Sequence, residues 1–310
     1  MRAALDRGWD VTAVHRGVTG TPPDEVTVLH ADRASEPALA AALGDGRWDA
    51  VVDTWSGAPA IAGIAARLLR DRASKYAYVS SGSVYVWGEH IDERSPLIDG
   101  DPRADGGDYA ELKRGAELAV VENFGDAILA RAGLILGPHE DIGRLPWWLD
   151  RIARGGRVLA PGRPDRPLQY VDSRDLADWL LSALVNGVTG PVDVVSRSGH
   201  ATTGGLLSSC VRATGSTAQL VWVPAPDLAA AGAEPWTQLP CWVPETGEFA
   251  GFLETDTSLA AATGLVCRPV EETVRDTWDW LRRDGVPPQR SDRPEHGLPP
   301  SLEDQLLASH

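Results

Sequence analysis

The chain has 310 residues, with 29 lysines and arginines against 44 aspartates and glutamates, a formal net charge of -15. So acidic a balance repels phosphate backbones, and no arginine run concentrates positive charge, which argues against nucleic acid as a partner. No stretch of 18 or more apolar residues occurs, so the sequence offers no membrane-spanning helix and no membrane partner. Cys210, Cys241 and Cys267 are far apart, without paired or metal-type spacing, and read as ordinary buried thiols rather than a disulfide framework or a zinc site. The first residues lack the apolar segment and small-residue cleavage site of a signal peptide, so a cytoplasmic chain is expected. Two details are stranger than the totals: the only methionine is Met1, and the only lysines are Lys75 and Lys113.

In chain order, short β-branched runs at 10–15, 25–31, 50–54, 76–80 and 127–130 alternate with amphipathic stretches. The latter are 36–43, with Ser35 as a cap, 58–71, rich in alanine and leucine, and 109–124. Strands that read as continuous apolar runs are buried on both faces, so the pattern predicts an α/β fold with a doubly wound parallel sheet. After about residue 140 the texture changes to Trp, Pro and Gly: Leu145-Pro-Trp-Trp148, Trp222-Val-Pro and Pro235-Trp-Thr-Gln-Leu-Pro-Cys-Trp242. A smaller, loop-rich C-terminal lobe is expected there, with helices over 175–185 and 270–283, the second opened by Pro269 and closed by Gly285. Twelve tryptophans are many for this length. Those in the lobe could line a pocket, but they read more readily as its core. The last 25 residues hold several prolines and little periodicity, which predicts a mobile tail or an arm over the surface.

Ser81 follows the strand Tyr76-Ala-Tyr-Val-Ser80, and 28 residues later comes Tyr109-Ala-Glu-Leu-Lys113. Tyr109 and Lys113, four apart on a predicted helix, share one face. A phenol with a pKa near 10 exchanges protons poorly at neutral pH, and a neighbouring ammonium favours its ionised form. A hydroxyl such as Ser81 could hold the oxygen of a carbinol or carbonyl while Tyr109 moves its proton. With five tyrosines and two lysines in the chain, a chance Tyr-x-x-x-Lys is expected only about 0.03 times, which favours chemistry over a tyrosine merely packed on a lysine stem.

Beyond these residues the sequence resembles the extended, NAD-dependent epimerase/dehydratase-like branch of the short-chain dehydrogenase/reductase superfamily. The resemblance rests on Tyr78-Val-Ser-Ser-Gly-Ser-Val-Tyr85, Tyr109-x-x-x-Lys113, Leu136-Gly-Pro138, Gln169-Tyr-Val-Asp-Ser-Arg-Asp-Leu-Ala177, and 256–265 followed by Arg268-Pro269. It implies a Rossmann-like nucleotide-binding domain over 1–140 that also uses about 166–196, a substrate lobe from 141–165 and 197–284, and a tail at 285–310. It also implies Tyr109 as acid/base, Lys113 on the nicotinamide ribose, Ser81 orienting a small-molecule substrate, and Ser83, Trp147, Gln169 and Asp172 beside that substrate. Asp32, Arg33, Asp53, Thr54 and Gly133 fall at cofactor positions, and a homodimer is expected. The family's opening strand and Gly-x-x-Gly-x-x-Gly turn are not represented. Here 3–8 and 10–15 read instead as the last turn of a helix, its glycine stop and a strand. Met1 stands where the family carries an ordinary apolar helix residue, often valine. The expectation is a GTG codon read as the start, with about 20 to 25 residues unrepresented; the alternative is a truncated, inactive paralogue.

The strand that would carry an acidic ribose ligand ends Val14-His15-Arg16-Gly17. A guanidinium at Arg16 suits the extra phosphate of NADP, so NADP is favoured over NAD. Asp32 could equally cap a turn. After the fifth strand candidate the chain reads Arg131-Ala-Gly-Leu134, without the proline and nearby asparagine of sugar-nucleotide epimerases. The expected activity is therefore NAD(P)-dependent hydride transfer with a small carbonyl or carbinol. A nucleotide-sugar epimerase or dehydratase, and a non-catalytic NAD(P)-binding regulator, are the alternatives.

Overall fold

The computed structural model describes residues 1–18, 20–88, 90–249, 251–289 and 293–310. The first half runs α1 (Arg2–Leu5), β1 (Thr12–His15), β2 (Thr27–His30), α2 (Glu36–Leu43), β3 (Trp48–Asp53), α3 (Pro59–Leu69), β4 (Ala73–Ser81), a 3-10 turn (Gly82–Val84), α4 (Tyr109–Phe124) and β5 (Ile128–Ala132). Local chemistry sets the boundaries. Gly8, at φ 73°, ends the opening helix, and the Ser35 hydroxyl accepts from the Ala38 N–H to start α2. The helices expected at 36–43 and 109–124 coincide with α2 and α4.

The second half continues with β6 (Leu134–Leu136), α5 (Arg144–Ala153), β7 (Arg157–Pro161), β8 (Pro167–Leu168), β9 (Tyr170–Asp172), α6 (Ser173–Val185), β10 (Gly190–Val194) and β11 (Ala201–Thr202). It ends with α7 (Thr203–Thr214), β12 (Gln219–Val223), α8 (Ala225–Ala230), α9 (Ser258–Ala262), α10 (Val270–Asp284) and α11 (Pro300–Ser309). The central sheet is parallel, in the order β10-β5-β4-β3. Tyr76 and Tyr78 point into a layer with Ala62, Ala66 and Leu69 of α3 and Ala116 and Val120 of α4. On the opposite face Trp179, Leu180 and Leu184 of α6 cover Ile128, Ala130 and Val192. Helices on both faces account for the fully buried β5 and give the doubly wound α/β class.

The sheet is not continuous. β1 and β2 pair only with each other, in parallel, and among the described residues β1 makes no ladder with β3. Each therefore keeps one unpaired edge, and Val14 and Val52 stand 38% and 41% exposed. The ribbon is tied to the body through side chains: Arg33 bridges to Asp53 at 2.7 Å, and Arg7 donates to the Asp178 carbonyl and the Ser182 hydroxyl of α6.

The lobe is built on the parallel pair β7-β12, with Trp148, Leu149 and Ile152 of α5 packed against Leu206, Leu207 and Cys210 of α7 and Val274 of α10. Trp148 and Trp242 are buried, and Trp147, Trp222 and Trp236 lean on the same apolar clusters, so the core reading of the tryptophans holds. From residue 293 on, the tail is an arm packed on the lobe rather than a mobile end. Leu306 and Leu307 of α11 are buried, Arg151 bonds the Glu303 carboxylate at 2.7 Å, and the Leu159 N–H donates to its other oxygen.

Candidate functional site

β4 delivers Ser81 at its C-terminal end, where parallel α/β sheets place their ligand clefts. The Ser81 hydroxyl accepts from the Ser83 N–H at 3.2 Å and lies 3.0 Å from the Ser83 hydroxyl, so the turn holds two hydroxyls side by side. Tyr109 is the first residue of α4, 40% exposed, and its hydroxyl has no partner among the described residues. Four residues on, Lys113 is buried, its ammonium donating to the carbonyls of Trp55 at 2.8 Å and Val79 at 2.7 Å, over the Tyr78 ring. An ammonium carries three donors, so one is left for a ligand. Burial above all lowers the Lys113 pKa to about 8; the charge of Arg293 acts in the same direction, and Asp53 opposes it.

Beneath this surface runs a buried polar network. Glu117, four residues after Lys113 on the same helical face, accepts from the Ser80 hydroxyl at 2.7 Å and from Arg131 through two nitrogens. Arg131 also donates to the Tyr85 hydroxyl, which donates to Asp193 at 2.8 Å. Each member is satisfied by another, the condition under which a buried ionic network rigidifies a site. The i, i+4, i+8 spacing of Tyr109, Lys113 and Glu117 was a signal available in the sequence. The cross-strand partners Arg131 and Asp193 had none.

The other expected residues have varied fates. Arg33 and Asp53 are committed to each other in a two-point pair, with the Tyr76 hydroxyl also donating to Asp53 and the Arg33 guanidinium stacked on Trp55. Asp32 caps the turn at Ala34, as its alternative reading held. Arg16 and Thr54 are exposed. Gly133 is needed for close approach, because a Cβ there would lie 2.6 Å from Val195. Gln169 and Asp172 are both engaged inside the structure. Gln169 spends its amide on the carbonyls of Ser196 and Thr255 and accepts from the Thr255 N–H. Asp172 caps α6 and holds Arg174 and Thr273. Both are buried with their polar atoms used internally, so they brace the lobe. Trp147 packs edge-on against Trp148, beside Gly297 of the arm. Glu140 is tucked in with a side chain 7% exposed. It caps the Arg144 and Leu145 N–H groups, and burial pushes its carboxyl up to about 7 against the pull of Arg144.

A parallel sheet wrapped on both faces by helices, with Ser81 at a strand end and Tyr109 and Lys113 on the following helix, defines a Rossmann-like α/β fold. Residues 1–195 match the NAD dependent epimerase/dehydratase family, and the chain belongs to that family. Several solved structures share the fold at low identity. The Bordetella bronchiseptica enzyme WbmH, in complex with NAD+, superposes with a TM-score of 0.69 at 16% identity, covering 92% of this chain and 94% of that one. A Burkholderia cenocepacia structure described as a putative epimerase gives 0.68 at 21%, over 91% and 93%. Thermus thermophilus UDP-glucose 4-epimerase in complex with NAD gives 0.61 at 20%, over 91% and 94%. No curated protein matches the chain. No helix among the described residues is long and apolar enough to cross a membrane.

Proposed function

We propose that the protein is an NAD(P)-dependent oxidoreductase or epimerase acting on a small carbonyl or carbinol. The reading is carried by the pairing of an unengaged Tyr109 hydroxyl with a buried Lys113 that keeps one donor free at the same strand-end cleft. The residues there fit a dinucleotide: His15 Nε2 and Arg33 Nε are buried without a partner near the ends of β1 and β2, and Arg16 and Thr54 are exposed for contact. The cofactor, when bound, supplies reversible hydride acceptance and donation. Lys113 holds a ribose hydroxyl with its third donor, Ser81 and Ser83 orient the substrate oxygen, and Tyr109 delivers or removes the proton on that oxygen. Arg16 favours the 2'-phosphate of NADP, although WbmH and the Thermus thermophilus epimerase were solved with NAD. A nucleotide-sugar substrate is the second reading, suggested by the likeness to UDP-glucose 4-epimerase. It lacks a free group after β5, because Arg131 is consumed by Glu117 and Tyr85.

Titration with NADH and NADPH, followed by tryptophan fluorescence, tests the reading. Binding of at least one dinucleotide is expected, weakened about tenfold in Lys113→Ala, which loses a charge-assisted hydrogen bond. Tyr109→Phe should keep that affinity and lose 100-fold or more, roughly, of cofactor oxidation against a panel of small aldehydes and ketones. Failure of both dinucleotides to bind would sink the proposal.

A further inference from the structure

The C-terminal arm reaches across the cleft on a fixed base. Gln289 and His296 bond each other twice, amide to carbonyl at 2.9 Å and N–H to amide oxygen at 2.6 Å. The Gly297 N–H then donates to the Thr237 carbonyl, and Gly297, at φ 124°, passes so close beneath Trp147 that a Cβ would collide with the indole. Leu298 is buried and α11 is docked on β7. Arg293 itself lies against the opposite domain. Its guanidinium carbon lies 5.1 Å from the centre of the Tyr109 ring, and Nη2 is 3.3 Å from the Ser56 hydroxyl.

We propose that Arg293 is an oxyanion-binding residue of the cleft, holding a carboxylate or phosphate of the ligand that reaches Tyr109. Its own surroundings point to a missing counter-charge. The Nε atom is buried without a partner, and no described carboxylate lies within ion-pair distance. Arg33, Arg131, Arg166 and Arg268 each meet a carboxylate, of Asp53, Glu117, Glu254 and Asp175, although Arg33 and Arg166 also keep a buried, unpartnered Nε. A guanidinium with no described carboxylate beside it is costly to desolvate until an anion arrives. The same side of the arm repeats the signal. His296 Nδ1 and Arg144 Nε are buried and unpartnered, although Arg144 has Glu140 at 3.9 Å. Burial, then the charge of Arg144, lowers the pKa of His296. The charges of Lys113 and Arg293 also repel, and an anion beside Arg293 relieves that repulsion.

The oxyanion has two sources, the substrate or the dinucleotide. That it acts on a reaction at Tyr109 rests on the function proposed above; the anion site itself does not. The test is calorimetric titration of the full-length protein, Arg293→Ala and Arg293→Lys with inorganic pyrophosphate and with succinate, each with and without saturating NADH. Wild type is expected to bind at least one probe, Arg293→Ala about tenfold or more weakly, and Arg293→Lys in between. Binding that survives saturating NADH assigns the oxyanion to the substrate, and displacement by NADH assigns it to the dinucleotide. The proposal is overturned if wild type binds neither probe, or if Arg293→Ala binds as tightly as wild type. Arg293-dependent pyrophosphate binding in a protein that binds no dinucleotide would uphold the anion site and reject the oxidoreductase reading.

Discussion

Asp193 is the residue whose surroundings most affect how the protein responds to pH. Burial pushes its carboxyl up to about 7, helped by Glu93, while the Tyr85 hydroxyl bonded to it and the charge of Arg131 pull the other way. Between the ordinary value of 3.8 and about 7 the folded state holds a proton that the unfolded chain releases. Stability from this group therefore falls as pH rises through that window, by at most ~1.4 kcal/mol per pH unit. Asp53 and Asp172, held low chiefly by Arg33 and Arg174 against the cost of burial, act with opposite sign below that window. Urea unfolding midpoints at about pH 5 and pH 7 should show a smaller loss in Asp193→Asn than in wild type; equal losses would refute the assignment. Lys113 was legible because helical spacing alone places it beside Tyr109. Arg131 and Asp193 were not, because they meet Tyr85 only when three strands and a loop have assembled.

At the scale of elements, α4 was readable from end to end: Asp108 precedes it, Gly125 at φ 99° stops it, and its apolar positions recur with helical period. α11 was not, because the prolines around it suggested disorder and its ten residues contain a charged residue, Glu303, on the buried face. Only docking on β7 gives that carboxylate its two partners, Arg151 and the Leu159 N–H. Glu303→Ala should cost about 2 kcal/mol of local stability, the scale of hydrogen bonds to a charged group. Hydrogen exchange of the amides in 300–309 would report it as roughly 30-fold faster opening, and unchanged exchange would show that the leucine contacts alone hold the arm. The lobe follows the same logic: Trp-rich segments gave no period, yet Trp148 and Trp242 found a core between α5, α7 and the arm.

For the molecule as a whole, the sheet is the feature that sequence pattern overestimated. The five expected strands lie within a few residues of β1 to β5 and β10 was not anticipated, but alternation cannot say which edges pair, and β1-β2 stands apart from β3-β4-β5-β10. A two-stranded ribbon is marginal in water unless something else holds it. Here that support is α2 and the Arg33–Asp53 pair. Amides of Thr12–His15 and Thr27–His30 should exchange faster than those of β4 and β5, and Asp53→Asn should widen the gap; equal protection across both groups would show one cooperative sheet. The sequence by itself determined the alternating α/β class and the family, and set Tyr109 and Lys113 on one helical face, because strand alternation and the i, i+4 helical spacing are local geometry. Tertiary structure alone decided that Gln169 and Asp172 serve the interior, that Arg33 and Asp53 neutralise each other, and that Arg293 lies over Tyr109. Those outcomes depend on which distant side chains share a desolvated volume, and no periodicity along the chain encodes that.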